Sequence, residues 1–358
     1  MNAYLLNRSA NSLYRTILAH TALALAVLGF TAAMPSPACA ETLEEASVST
    51  PPELKQAAQD LRADYRQQQW DRLSQKTDRD SLIAAVLLGM PNDTDSNPID
   101  GNADVEQRLA RNFGHDPLVL FTLALSCQLQ KEPCAHPERY DALVRIAPFN
   151  AVHWLLLPNG ATPNDAQLHA AAIAPQADTH LREMVRIVRA ALVDQPAPSA
   201  RIGVDPRELA LLLRRDAVGE EVMLPKFAAV MKLCKGVAGQ RRDDCIELGR
   251  RLEADRSGSI LSRMIGSAIV RRMLKGTPEE VAAKELRRDY VWFSDQLVAS
   301  KVPYEEQKEI DTVVYGEWEA AERAVERMGM TRTPPAGWMP KNPQTLLLSE
   351  ERTPAPAQ

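Results

Sequence analysis

Histidines come closest, in residue type and spacing, to a catalytic or metal-binding cluster in this sequence. Five of the six lie between residues 115 and 180: His115, His136, His153, His169 and His180. Neutral imidazole is a common metal ligand and a general base near neutral pH. No two of these histidines are three or four residues apart, the spacing that places ligands on one helix face. The pattern therefore favours ordinary helix and cap histidines over a metal or acid-base centre.

Two charged runs are the next candidates. The acidic run consists of Glu305, Glu306, Glu309 and Asp311. We expect it to open a helix, whose dipole favours carboxylates, with a carboxylate pair for glycoside hydrolysis as the alternative. The basic run consists of Arg250, Arg251, Arg256, Arg263, Arg271, Arg272 and Lys275. We expect a solvated helix face here, with a site for an anionic partner as the alternative.

The common cofactor and hydrolase motifs are missing from the sequence. No two glycines are separated by one residue, and there is no Gly-Lys pair, His-Glu-x-x-His, Gly-x-Ser-x-Gly or Cys-x-x-Cys. The formal net charge of −5 gives no basic excess for unspecific phosphate binding. We therefore expect no cofactor, no metal and no nucleic-acid partner, and the sequence leaves enzymatic activity undecided.

The first forty residues have the features of a signal peptide. Arg8 and Arg15 are followed by an apolar run from Ile17 to Phe30, and Ala38-Cys39-Ala40 places small residues where a signal peptidase acts. We expect cleavage before Glu41 and a periplasmic or secreted protein of a Gram-negative bacterium, without a transmembrane segment in the mature chain. The alternatives are an uncleaved anchor and lipidation at Cys39.

Four cysteines remain in the mature chain: Cys127, Cys134, Cys234 and Cys245. An even number in an exported protein favours disulfides over a zinc site, which prefers a Cys-x-x-Cys pair. Four cysteines allow three pairings. The pairing of Cys127 with Cys134 and Cys234 with Cys245 needs only short loops, and we expect this one.

Helical periodicity recurs throughout the mature chain, so the sequence predicts an all-α fold. Leu54, Ala58, Leu61 and Tyr65 share one face, and a second long stripe comprises Ile310, Val314, Trp318, Ala321, Val325 and Met328. Helix starts are expected at Asp205-Pro206 and Thr277-Pro278. We divide the chain into a signal peptide (1–40), helical hairpins (41–195), a C-terminal helical region (205–330) and a Pro-rich disordered tail (331–358).

A period of about 34 residues runs through the hairpin region. Potential N-caps at Ser81, Asp116 and Asn150 each precede an apolar helix. The central unit contains Leu120-x2-Leu123-Ala124, then His136-x3-Tyr140 and Pro148. From about Ser81 to Ala191 the chain resembles degenerate tetratricopeptide repeats, which implies a helical solenoid segment. Irregular helical packing with a fortuitous spacing is the alternative.

The resemblance also implies which residues line a concave groove, since the first helix of each hairpin faces it. These residues are Leu118, Phe121, Leu125, Val152 and Leu155, all apolar. Monomers rarely expose such a patch. We expect other helices of the same chain to cover them, with the apolar segment of a partner as the alternative.

These observations favour a non-catalytic binding or scaffolding protein of the cell envelope, which engages a protein or peptide through its helical surface. An envelope enzyme acting on peptidoglycan or peptide, with a site built from dispersed residues, is the alternative.

Overall fold

A computed structural model describes residues 52–91, 98–129, 133–158, 161–193, 223–256, 258–299 and 306–352. Within these ranges it contains fourteen α-helices, two short 3-10 helices and no β-strand, which confirms the all-α prediction. The expected signal segment, Cys39, Glu41, the linker 196–204 and the helix start at Asp205-Pro206 lie outside the described residues.

Eight helices form the part of the structure before the linker: α1 (Pro52–Ser74), α2 (Arg79–Gly89), α3 (Asn102–Phe113), α4 (Pro117–Leu129), α5 (Glu138–Ile146), α6 (Ala151–Leu155), α7 (Asp165–Ile173) and α8 (Leu181–Ala191). Six follow it: α9 (Ala228–Leu233), α10 (Gly239–Ala254), α11 (Ile260–Met273), α12 (Pro278–Ala299), α13 (Glu306–Tyr315) and α14 (Glu317–Arg327).

Short polar side chains set several helix starts by accepting backbone N–H groups that have no partner within the helix. Asp116 accepts from Leu118 at 2.8 Å, and Asn150 accepts from Val152 at 3.1 Å, as their positions predict. Thr277 starts α12 in the same way. The expected cap at Ser81 is wrong, because Asp78 caps α2 by accepting from the Ser81 amide.

Two helices are buried on nearly all sides. In α2 every residue from Leu82 to Gly89 is buried, and in α4 every residue from Leu118 to Gln128 is buried. Such helices carry apolar residues around their whole circumference because no face meets water. Helices α1, α3, α4 and α8 all pack against α2. The core of the protein therefore centres on α2 and α4.

Successive helices pack against each other, with contacts between α2 and α3, α4 and α5, and α6 and α7. This order is that of helical hairpins, although α6 has only five residues. The tetratricopeptide resemblance stays a prediction. The main core continues beyond the linker, because α7 packs against α10 and the same apolar cluster includes Leu168 and Leu248.

Helices α10 and α11 cross closely at two glycines. A Cβ atom at Gly266 would lie 2.4 Å from the amide nitrogen of Glu253 and 2.5 Å from the carbonyl oxygen of Gly249. A second apolar cluster joins α12 and α14 around Phe293 and Trp318.

The long apolar stripe near the end of the chain belongs to two helices, not one. Gly316, with φ of 91°, separates α13 from α14. Glycine adopts this backbone conformation without a steric penalty, whereas other residues rarely do. Because the helix axis changes here, Ile310 and Val314 remain 39% and 48% exposed while Trp318 is buried.

The segment 331–352 packs against the helices, although the sequence predicts a disordered tail. The Trp292 indole donates to the Thr331 carbonyl oxygen at 2.9 Å, and the Trp292 and Trp338 rings meet edge to face. Short 3-10 helices span Pro343–Leu346 and Ser349–Glu351. Proline removes helical amides but leaves carbonyl oxygens that neighbouring side chains can bind, so the proline pattern excludes helix without excluding packing.

Candidate functional site

Two of the five clustered histidines form a buried pair. His153 lies in α6, and His180 immediately precedes α8 in a left-handed conformation with φ of 55°. Their Nε2 atoms are 2.8 Å apart, and their rings stack with an interplanar angle of 18°. Both rings pack on the Phe121 side chain. The fold therefore joins two imidazoles that the sequence places 27 residues apart.

The neighbours of the pair fix its protons. His153 Nδ1 lies 2.9 Å from the Ala147 carbonyl oxygen, which can only accept, so Nδ1 carries the proton. The Nε2 atom of neutral His153 then accepts a hydrogen bond from His180 Nε2–H. Asn150 Nδ2, 3.1 Å from His153 Nε2, donates to the Asp178 carbonyl oxygen at 2.7 Å. This leaves His180 Nδ1 as the free basic atom, 3.9 Å from the Asp178 carboxylate.

Both imidazoles are held in their neutral forms. Burial and, to a lesser extent, the neighbouring His180 together lower the pKa of His153 to about 4. Burial also lowers the pKa of His180, while the carboxylates of Asp178, Glu183 and Asp116 oppose that shift. Arg79 offsets those carboxylates in part, because its guanidinium pairs with Asp116 at 2.7 Å and Glu183 at 3.4 Å.

An exposed apolar patch lies on the chain segments that the histidine pair connects. It consists of Ile146, Phe149 and Ile173, which are 40%, 65% and 63% exposed. The Gln176 amide donates to the Phe149 carbonyl oxygen at 3.1 Å, and the Ala151 amide donates to the Gln176 carbonyl oxygen at 2.7 Å. These two hydrogen bonds bring the segments after α5 and after α7 together. The three exposed side chains thus lie on neighbouring segments, and we call them the apolar patch.

Charges around the apolar patch are few. Arg145 is exposed beside Ile146 and has no ion pair with the residues that the structure describes. His169, on α7, pairs with Asp244 at 2.9 Å. On the same side Arg251 donates to the Ala172 carbonyl oxygen. The apolar patch therefore has one unpaired cation at its edge.

The five residues of the expected groove lie inside the core. Phe121, Leu125 and Val152 are fully buried, and Leu118 and Leu155 are 3% exposed. They belong to the main apolar cluster, together with residues of α1, α2 and α8. No open groove exists at these five positions.

The other charged candidates are mostly engaged. Asp311 is buried and binds Arg327 at 2.6 Å, while Glu305 and the side chains of Glu306 and Glu309 lie outside the described part of the chain. In the basic run the exposed Arg250 pairs with Glu279, and Arg263 stacks on the Trp318 ring at 4.0 Å. The run is therefore not a simple solvated face.

Two disulfides are present, and both are local. Cys127 at the end of α4 bonds Cys134, and Cys234 after α9 bonds Cys245 in α10. Among the described residues no group of three or more histidine, cysteine or acidic side chains could hold a metal ion.

Sequence reasoning missed both the histidine pair and the apolar patch. Phe149 and Ile173 carry one usable signal, because each is a large apolar residue just past or at a helix end and within two residues of a proline.

None of the described helices is long and apolar enough to cross a bilayer. No protein-family model matches the chain, and comparison with curated proteins and with solved structures finds no match.

Proposed function

We propose that the protein is a non-catalytic binding or scaffolding protein of the bacterial cell envelope, and that the apolar patch is its contact surface for a protein partner. The exposure of Phe149 and Ile173, 65% and 63%, carries the proposal. Single exposed apolar residues are common, whereas a group held together by backbone hydrogen bonds is typical of interaction sites.

The apolar patch is preorganised for binding. Gln176 holds the segment of Phe149 and Ala151 through two backbone hydrogen bonds, and the histidine pair joins the same two segments a few residues further along. A rigid surface loses little conformational entropy on binding. Burial of the two side chains by a partner would contribute about 1–2 kcal/mol each to the free energy of binding.

The chemistry of the partner follows from the surroundings. Apolar side chains would cover Phe149 and Ile173, and a carboxylate beside them would pair with the unpaired Arg145. The envelope location rests on the predicted signal segment. It is supported by the two disulfides, because such bonds persist in oxidising compartments.

A variant pair tests the proposal. Phe149→Ser/Ile173→Ser removes the apolar patch, and Val281→Ser, on α12 and 60% exposed, is the matched control. Each mature chain is immobilised and incubated with envelope extract. The bound proteins are then quantified by mass spectrometry. We expect one stoichiometric partner with the wild type and the control, and at least tenfold less with the double variant.

Two results would contradict the proposal. One is equal recovery of every bound protein by all three chains. The other is self-association of the wild type, measured by light scattering, that the double variant loses, because the apolar patch would then join two copies of this chain.

An envelope enzyme remains the second candidate, and one observation favours it. Burial raises the pKa of Glu253 to about 7 and that of Asp289 to about 6, within the range of a general acid. Hydrolysis of purified peptidoglycan by the wild type, abolished in Glu253→Gln, would favour this candidate over the first.

A further inference from the structure

The last described residues, 342–352, include the two short 3-10 helices and lie along α11 and α12, and we call them the C-terminal segment. Residues 341–344 and the two glutamates Glu350 and Glu351 are exposed, and Leu348 is its one buried apolar side chain, 7% exposed. The segment thus has a single apolar anchor, and other interactions must hold most of its length.

Arginines supply those interactions. Arg271 donates to the Leu346 carbonyl oxygen and to the Glu351 carboxylate, both at 2.9 Å. Arg272 donates to the Glu350 carboxylate at 2.6 Å, and Arg287 donates to the Thr345 carbonyl oxygen at 2.9 Å. We call Arg271, Arg272 and Arg287 the arginine face. It binds two backbone carbonyl groups and two carboxylates, which is how a site recognises an acidic peptide.

The C-terminal segment leaves the arginine face incompletely satisfied. The Arg271 side chain is 4% exposed, and its Nε–H has no hydrogen-bond acceptor among the described residues. A buried donor without an acceptor costs about 1–3 kcal/mol. In addition, burial lowers the pKa of Arg287, and the positive charges of Arg352, which belongs to the C-terminal segment, and of Arg271 lower it further. The three arginines of the face meet only two carboxylates of the segment, so the site offers more donors and more positive charge than its present occupant neutralises.

We propose that the arginine face is a binding site for a short acidic segment of a partner protein, and that the C-terminal segment occupies it as an intramolecular competitor. The partner segment carries a leucine-like anchor followed by two carboxylates, the arrangement of Leu348, Glu350 and Glu351. Occupancy by a tethered segment corresponds to a local concentration in the millimolar range, so an outside peptide binds the intact chain weakly.

The test uses the full mature chain and a fluorescent peptide with the sequence of residues 342–352. Glu350→Gln/Glu351→Gln loosens the tethered segment. The matched control, Glu247→Gln/Glu279→Gln, removes two carboxylates that pair with Arg250 and do not touch the segment. We expect the peptide to bind Glu350→Gln/Glu351→Gln at least tenfold more tightly than the wild type or the control. Adding Arg272→Gln, or replacing both glutamates of the peptide by glutamine, should remove most of that gain.

A second measurement covers the case in which the glutamate variant folds poorly. Hydrogen exchange of the wild type with millimolar peptide should show faster exchange at the Leu346–Leu348 amides, because the tethered segment is displaced. Equal peptide affinity of the variant and the control, or unchanged exchange at saturating peptide, would overturn the proposal. Dimerisation of the wild type through exchanged C-terminal segments would overturn it as well, because the occupant would then be a second copy.

Discussion

Acid should destabilise the protein through the histidine pair. The first proton enters at His180 Nδ1, which faces Asp178 and leaves the bond between the two Nε2 atoms intact. The second must enter at His153 Nε2, whose lone pair accepts that bond. Two N–H groups would then oppose each other at 2.8 Å, so the pair must separate. The bond therefore survives one proton but not two.

The magnitude follows from the pKa of His153, which is about 4 instead of the usual 6.5. The difference of about 2.5 units at 1.36 kcal/mol per unit gives about 3 kcal/mol. Because the folded state binds fewer protons than the unfolded state between these pH values, the free energy of unfolding rises with pH. The contribution of His153 to the free energy of unfolding is complete above pH 6.5 and is lost as the pH falls to about 4.

His153→Gln removes the titrating group, and His169→Gln, at a half-exposed histidine, is the control. Denaturant unfolding of the three proteins at several pH values from 7.5 to 4 gives the free energies. The advantage of the wild type over His153→Gln should shrink by about 3 kcal/mol across this range, since titrating groups that do not interact with His153 cancel in the difference. His169→Gln should follow the wild type. A difference between wild type and His153→Gln that stays constant with pH would refute the reasoning.

Other predictions concern stability and processing. Burial raises the pKa of half-buried Glu253 to about 7, so the contribution of Glu253 to the free energy of unfolding falls as the pH rises from 4.5 to 7. After solvent screening, Glu253→Gln should be more stable than the wild type by on the order of 1 kcal/mol at pH 8 and equally stable at pH 4. A stability difference that does not change with pH would contradict this. Gly266→Ala should lower the free energy of unfolding by about 1–3 kcal/mol or more, because its Cβ would overlap the α10 backbone; an unchanged melting temperature would mean that the helices move apart easily. Removing either disulfide, by Cys127→Ser/Cys134→Ser or by Cys234→Ser/Cys245→Ser, should lower the free energy of unfolding by about 2–3 kcal/mol, because the bond no longer closes a loop in the unfolded chain. Unfolding under non-reducing conditions measures this, and free thiols in the wild type would argue against the bonds. Intact-mass analysis of exported protein should give a chain that begins at Glu41, and a lipid on Cys39 would show the other processing route.

Local chemistry made the helices and several of their starts predictable from sequence. Asp116, Asn150 and Thr277 act on amides two or three residues away, so the chain around them is sufficient to identify them. The all-round apolar character of α4, evident in Leu118-Val119-Leu120-Phe121, also indicates a fully buried helix. The expectation that other helices of the chain cover Leu118, Phe121 and Leu125 agrees with this signal and with their place in the core.

The histidine pair and the apolar patch depend on contacts between distant segments. His153 and His180 meet because the segment before α8 turns through a left-handed residue, which the sequence does not mark with glycine or asparagine. Phe149 and Ile173 are exposed because two helix ends lie side by side, which periodicity within one helix cannot show. The C-terminal segment was misjudged for the same reason, since its binding groups are arginines more than fifty residues away.

The central claim is that the apolar patch contacts a partner protein, and site-specific photo-crosslinking tests it most directly. A photoreactive amino acid is placed at position 149, and in a separate chain at position 281, in cells that export the protein. We predict one adduct of defined mass from position 149 and none from position 281, with the crosslinked peptide apolar and next to an acidic residue. The same adducts from both positions, or none from position 149, would contradict the claim.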